Sequence, residues 1–148
     1  MLLVYENRNT GVSAEWKKPV HVLPHLHEAI EVVYVTDGEI ELGVGQELFH
    51  MDEGDFAVVF PNVIHHYQVF GEKENKVIFL YLEPTLFPSY YRELQIYSPK
   101  NPVVKKEQVH LDVVNAIKYL TGITEGDPRM IQAYACLLYT SDAADDSL

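Results

Sequence analysis

Hydrophobic and β-branched residues in the first half of the chain come in short runs, at 20–23, 30–36, 40–44, 47–51, 56–60, 65–70 and 77–82. Runs of this length, with no helical period between them, predict strands. Asp37-Gly38 predicts a tight hairpin, Gly45-Gln46 another, and Glu53-Gly54-Asp55 a further reversal, because these residues tolerate the positive φ of tight turns. Many short strands at close spacing point to an all-β sandwich or barrel. The pattern changes after Pro84, where Pro84, Pro88, Pro99 and Pro102 punctuate an irregular stretch with one short helix expected at 89–95. Val109, Val113, Ile117 and Leu120 then recur at helical spacing, and Asp127-Pro128 reads as the N-cap and first position of a second helix. Met130, Ile131, Tyr134, Leu137 and Leu138 form its apolar face. The division is therefore a barrel over residues 1–84 and a proline-rich crossing with two helices over 85–135, both in one domain.

The residues that carry chemistry are His25, His27, Glu31 and, later, His65. Alternation along a straight strand puts His25, His27, Glu31, Val33 and Val35 on one face. Two imidazoles at i and i+2, a carboxylate beside them and a third imidazole from another strand make a His3Glu set. Such a mixture suits zinc, iron, manganese, nickel or copper, and is too nitrogen-rich for magnesium or calcium. The same four side chains can instead line a barrel mouth and hydrogen-bond an organic ligand without metal. His66 is expected on the opposite face, at the surface or against a helix. His21, His50 and His110 have no partner at ligand spacing and read as surface residues.

The spacing His25-x-His27-x3-Glu31-x6-Gly38 resembles the first motif of cupins, with Pro19 where the leading glycine would stand. Gly54-Asp55 followed by Phe60-Pro61-Asn62-Val63-Ile64-His65 resembles the second, with Phe60 in place of proline and Asn62 in place of glycine. The run from Gly54 to Tyr67 also looks like the sensor domain of AraC-type transcription regulators. Strands, a proline-rich crossing and two helices match that domain from about residue 5 to Ala135. The resemblance implies a mainly β fold, a cupin or jelly-roll barrel followed by two C-terminal α-helices. In such regulators the barrel binds a small effector, the helices mediate homodimerisation, and a C-terminal helix-turn-helix domain binds DNA. It carries over effector contacts to His25, His27, Glu31, His65, Tyr67, Phe79 and Tyr81. In an arabinose-responsive member a tyrosine matching Tyr67 contacts the sugar and a tryptophan matches Phe79, so a sugar-type effector is implied. Phe79 equally suits plain core packing. The resemblance also implies that Trp16 and the N-terminal arm cover the pocket. The dimer seam is expected from Val113, Ile117, Leu120, Met130, Ile131 and Tyr134.

Composition narrows the function classes. The 148 residues, 47% of them hydrophobic, suffice for one core. There is no apolar run long enough to span a membrane and no secretory-signal pattern, so a cytoplasmic protein is expected. One cysteine, Cys136, cannot form an internal disulfide. The net charge of −11 repels phosphate backbones, so any DNA contact belongs to the expected helix-turn-helix domain, which these residues lack. Residues 136–148, including Asp142, Asp145 and Asp146, resemble the conceptual translation of a transposase-type sequencing adapter, and the natural chain is expected to continue differently past Ala135. Two further functions stay open: a metal-dependent cupin enzyme of dioxygenase or sugar-isomerase type, and a sugar-binding storage or scaffold cupin.

Overall fold

The computed structural model of the chain describes residues 3–6, 12–17, 21–71, 74–96, 98–122, 130 and 133–135, with 12–17 described as backbone. Among these residues ten strands form two five-stranded sheets. One sheet holds β1 (Val4–Glu6), β3 (Val22–His27), β8 (His65–Gln68), β5 (Glu39–Val44) and β6 (Glu47–Asp52), in the order β1-β3-β8-β5-β6. The other holds β10 (Val103–Val104), β7 (Phe56–Val59), β4 (Ile30–Asp37), β9 (Lys76–Leu82) and β2 (Val12–Lys17), in the order β10-β7-β4-β9-β2. Neighbouring strands pair antiparallel except β1 and β3, which are parallel. This is the expected cupin-type jelly roll.

Strands β4, β7 and β9 of the second sheet are buried on both faces, and alternation along them divides the work. Val33, Val35, Ala57, Val59, Val77, Phe79 and Tyr81 face the barrel interior with Ile40, Leu42, Met51 and Tyr67 of the first sheet. The residues between them, Ile30, Val32, Phe56, Val58, Ile78, Leu80 and Leu82, pack outward against the C-terminal segment. A strand apolar on both faces reads as a continuous run, which is why 30–36 and 77–82 are so conspicuous in the sequence.

Two helices lie in that outer layer: α1 (Tyr91–Ile96), close to the expected 89–95, and α2 (Leu111–Gly122). α2 turns Val113, Ala116, Ile117 and Leu120 onto the sheet, where each is at most 2% exposed. This corrects the expected dimer seam: Val113, Ile117 and Leu120 are consumed by the chain's own core, because the outer face of the second sheet needs a cover. Of the remaining seam residues, Met130 is exposed, Tyr134 is half-buried and stacks on Tyr119 with centroids 4.3 Å apart, and Ile131 lies outside the described residues. The N-cap at Asp127-Pro128, Leu137, Leu138, Pro19 and the adapter-like tail also lie outside them, as does the Trp16 side chain. No helix among the described residues is long and apolar enough to cross a membrane.

The turns differ from expectation in one respect. Gly45-Gln46 does make the β5–β6 hairpin, with Gly45 at φ +60°. Asp37-Gly38 and Glu53-Gly54-Asp55 are instead crossings between sheets, since β4 and β7 lie in one and β5 and β6 in the other. Gly38 is required twice over: its φ is +79°, and a Cβ there would lie 2.0 Å from Asn75 Oδ1, which accepts the Glu39 N–H at 2.7 Å.

The second crossing is pinned by a buried carboxylate. Asp55 accepts from the backbone N–H of Asp52 at 2.8 Å and of Lys106 at 2.7 Å, and from Lys105 Nζ at 3.0 Å. It thereby ties β6 and β7 to the segment that follows β10. Asp55→Ala orphans those donors and is expected to cost about 2–4 kcal/mol. Urea unfolding checks this, as a lower midpoint at unchanged m-value; an unchanged midpoint refutes it.

Candidate effector and metal site

The histidines do not share one strand with the carboxylate. His25 and His27 alternate inward on β3, and residues 28 and 29 carry the chain across to the other sheet, where Glu31 points back into the barrel from β4. The straight-strand expectation is corrected on this point: His27 and Glu31, four apart in sequence, meet across the interior. His65 enters from β8, in register with His25. The turn before it is docked by the Asn62 N–H, which donates to the His27 carbonyl at 2.8 Å, and Asn62 takes the left-handed φ of +60° where the cupin pattern has glycine.

All four side chains are buried, and one ligand atom from each lies within 4.8 Å of the others. The imidazole centroids are 4.2 Å apart for His25 and His65, 5.0 Å for His27 and His65, and 5.9 Å for His25 and His27. Each ring is oriented by a backbone carbonyl two residues away: His25 Nδ1 is 2.9 Å from Leu23 O, His27 Nδ1 2.8 Å from Ala29 O, and His65 Nδ1 2.8 Å from Val63 O. A carbonyl only accepts, so each Nδ1 carries a proton, and a neutral ring then presents the Nε2 lone pair inward.

Glu31 closes the set. Its Oε2 accepts from the Tyr67 hydroxyl and lies 3.0 Å from His65 Nε2, while Oε1 lies 3.5 Å from His27 Nε2. Close as they are, the Nε2 atoms of His27 and His65 make no hydrogen bond of proper geometry and are buried without a partner. Two buried lone pairs and a carboxylate converging on one point require a cation or donors between them. The residues therefore fit a transition-metal ion, with His25, His27, His65 and Glu31 as its ligands. The carbonyls on Nδ1 are the outer partners such ligands use.

Electrostatics follow from burial and proximity. Desolvation pushes Glu31 up, but the charge of His65 and the contacts from His27 and His65 outweigh it and hold the carboxyl well below its usual 4.5. Desolvation lowers His65, yet Glu31 raises it further, to a net value above 6.5. Desolvation and the neighbouring His65 depress His25. Burial and the Glu31 charge push the Tyr67 phenol well above 10.0, so it remains a donor. Tyr67 and Phe79 meet edge to face at 5.2 Å, and Tyr81 meets His27 at 5.7 Å. The three aromatic residues of the expected effector set thus lie against the imidazoles and one another.

Outside the barrel, His66 lies over Gly43, where a Cβ would come within 1.8 Å of the ring; it packs on the sheet rather than on a helix. His21 is exposed at the edge of Phe70, and His110 is exposed beside Asp112. His50 corrects the expectation that it has no partner. Its Nδ1 meets Glu41, and its Nε2 lies 2.8 Å from Asp52 and 3.6 Å from Glu39. Hydrogen bonds to Glu41 and Asp52 raise its pKa, on the exposed face of the β5–β6 hairpin. The signal was present in the sequence: a two-residue turn at 45–46 pairs Glu41 with His50 and Glu39 with Asp52.

The family model described as the AraC-like ligand binding domain matches residues 12–137, across both the barrel and the helices. The chain belongs to that family. This AraC-like domain also resembles ToxT from Vibrio cholerae, with a TM-score of 0.57 at 8% identity, covering 93% of this chain and 58% of that one. Unsaturated-fatty-acid-bound ToxT from Vibrio cholerae strain SCE256 gives a TM-score of 0.61 at 10% identity, covering 91% and 55%. A gentisate 1,2-dioxygenase of Haloferax sp. is 37% identical over 49 residues, 33% of this chain and 14% of that enzyme. The AraC-like domain thus spans little more than half of ToxT and a small part of the dioxygenase.

The site makes the stability of the metal-free domain depend on pH. His65, raised above 6.5, contributes fully below that value and loses its contribution as pH rises through its folded pKa. Glu31, lowered from 4.5, contributes above that value and loses its contribution as pH falls. His25, lowered from 6.5, costs stability below 6.5. The urea midpoint of the chelator-treated chain should peak near pH 6.5, and Glu31→Gln should flatten the alkaline limb. A midpoint constant from about pH 6.5 to 8.5 would contradict the assignment.

Proposed function

We propose that this chain is the effector-sensing domain of an AraC-type transcription regulator, binding a small molecule among His25, His27, Glu31, His65, Tyr67, Phe79 and Tyr81. The observation that carries the reading is the AraC-like match over the barrel and the helical segment together. The reading assigns DNA recognition to a helix-turn-helix unit outside these residues, since a net charge of −11 opposes contact with phosphates. It assigns the work to the cytoplasm, where such a regulator meets DNA. A homodimer belongs to the reading too, and its seam would draw on surface side chains such as Leu111 and Met130 rather than on the buried stripe of α2.

The chemistry of the site bears on the effector. Glu31 and the Nε2 lone pairs are acceptors, so they suit a hydroxyl-rich molecule such as a sugar or polyol, which brings donors and a C–H face for the aromatic rings. The ToxT structures hold an unsaturated fatty acid in one case and (E)-4-(8-methylnaphthalen-1-yl)but-3-enoic acid in another. A carboxylate of that kind would be repelled by Glu31 unless a cation stood between them. When bound, a divalent zinc, iron, manganese or nickel ion would supply that charge and an open position for an oxygen ligand.

The second reading, a metal-dependent cupin enzyme, is favoured by the His3Glu set and by the segment similar to gentisate 1,2-dioxygenase. Thermal unfolding with and without metal, across sugars, polyols and organic acids, separates the two. For the sensor, an effector at a hundredfold excess over Kd adds about 2.7 kcal/mol, a Tm rise of roughly 5–10 °C, with no product formed. His27→Ala should abolish the shift. No shift with any of these compounds counts against the sensor, and turnover that His27→Ala abolishes would establish the enzyme in its place.

A further inference from the structure

Tyr67 touches the site without being one of its four metal-ligand candidates, and it is held there rigidly. β8 places His65 and Tyr67 two residues apart on the same inward face, between β3 and β5, where Tyr67 pairs in register with Val22 and Leu42. Phe79 packs edge-on against its ring at 5.2 Å, and the side chain is 2% exposed. A phenol with so little freedom fixes whatever it bonds. Its hydroxyl donates to Glu31 Oε2, the oxygen that also lies 3.0 Å from His65 Nε2, and this leaves Oε1 turned toward the unpartnered Nε2 of His27.

We propose that Tyr67 is a positioning residue for a divalent metal site: it anchors one oxygen of Glu31 so that the other is presented to a cation among the three imidazoles. The inference rests on the reading of His25, His27, Glu31 and His65 as metal ligands. A carboxylate without this anchor can turn about its last torsion, which is broad for a glutamate, and can be held in several ways. Fixing it beforehand removes that ordering cost from metal binding. Tyr67 acts through Glu31, so its worth should vanish when Glu31 is gone. A residue that merely fills the barrel would not behave so.

The test is a thermodynamic cycle on the full chain, with Zn2+ affinity measured by competition against a chromophoric chelator. Tyr67→Phe keeps the ring that packs on Phe79 and is expected to weaken Zn2+ binding by about 10–100-fold, the range for loss of an outer partner. On a Glu31→Ala background the same substitution should change affinity by less than about threefold. Urea unfolding verifies that each variant is folded. An equal loss in both backgrounds, or no loss in the first, overturns the positioning role while leaving the metal reading intact. Failure of the wild-type chain to take up Zn2+ overturns both. If loading with Fe3+ gave a visible phenolate-to-iron charge-transfer band that Tyr67→Phe removes, Tyr67 would be a ligand and the positioning role would be wrong.

Discussion

A carboxylate inside a barrel must be answered by positive charge or by hydrogen-bond donors, and the arrangement around Glu31 is built on that demand. Burial alone would neutralise it by raising its pKa. Three imidazoles and a phenol surround it instead, and His65 and His27 outweigh the burial and hold its pKa well below the usual value. The imidazoles are committed through Nδ1 to the carbonyls of Leu23, Ala29 and Val63, so neutral rings can offer Glu31 only lone pairs. The site is therefore stable with a proton on an imidazole or with another cation in its place, and poorly satisfied with neither.

The architecture that makes this possible is a sheet used on both faces. In β4, Glu31 faces the imidazoles while its neighbours Ile30 and Val32 face the helical layer. The same alternation runs through β7 and β9. Covering the outer face takes Val113, Ala116, Ile117 and Leu120 of α2, while Leu111 at the start of that helix stays exposed. The helical segment and the His3Glu cluster thus lie on opposite faces of one sheet. Influence of one on the other through adjacent residues of β4, β7 and β9 extends only as far as a ligand binds two arrangements of that sheet differently.

Much of this was legible in the sequence, for physical reasons that also explain what was not. Strand runs apolar on both faces, a helical stripe at 109–120 and three turns are local signals, and the His25, His27, Glu31, His65 spacing selects four residues that the fold brings together, without any knowledge of the path between them. The path itself carries no local signal. Alternation places His27 and Glu31 on one face whether the strand runs on or crosses the barrel, since the two-residue crossing at 28–29 preserves the parity and carries no glycine or proline to announce it. The same ambiguity made Asp37-Gly38 look like a hairpin: the turn chemistry fixes a reversal but not the sheet the next strand joins. Strand β10, only two residues long, is stabilised by pairing with Phe56 and Ala57 rather than by any pattern of its own. The partners of His50 follow from the hairpin register, a relation across the turn that spacing along the chain does not reveal.

Belonging to the AraC-like family and carrying a full His3Glu set pull toward different uses of one barrel, and the hydrogen bonds around the site show why they are compatible. A pocket for a polyol needs acceptors oriented inward, and a metal site needs lone pairs oriented inward; fixing Nδ1 by a backbone carbonyl meets both requirements with the same bond. What distinguishes them is Glu31. A polyol site can spread its acceptors apart to match separate hydroxyls, whereas here the carboxylate and the imidazole nitrogens converge within 4.8 Å of one another. Convergence of that kind suits a single small cation more closely than a chain of hydroxyls.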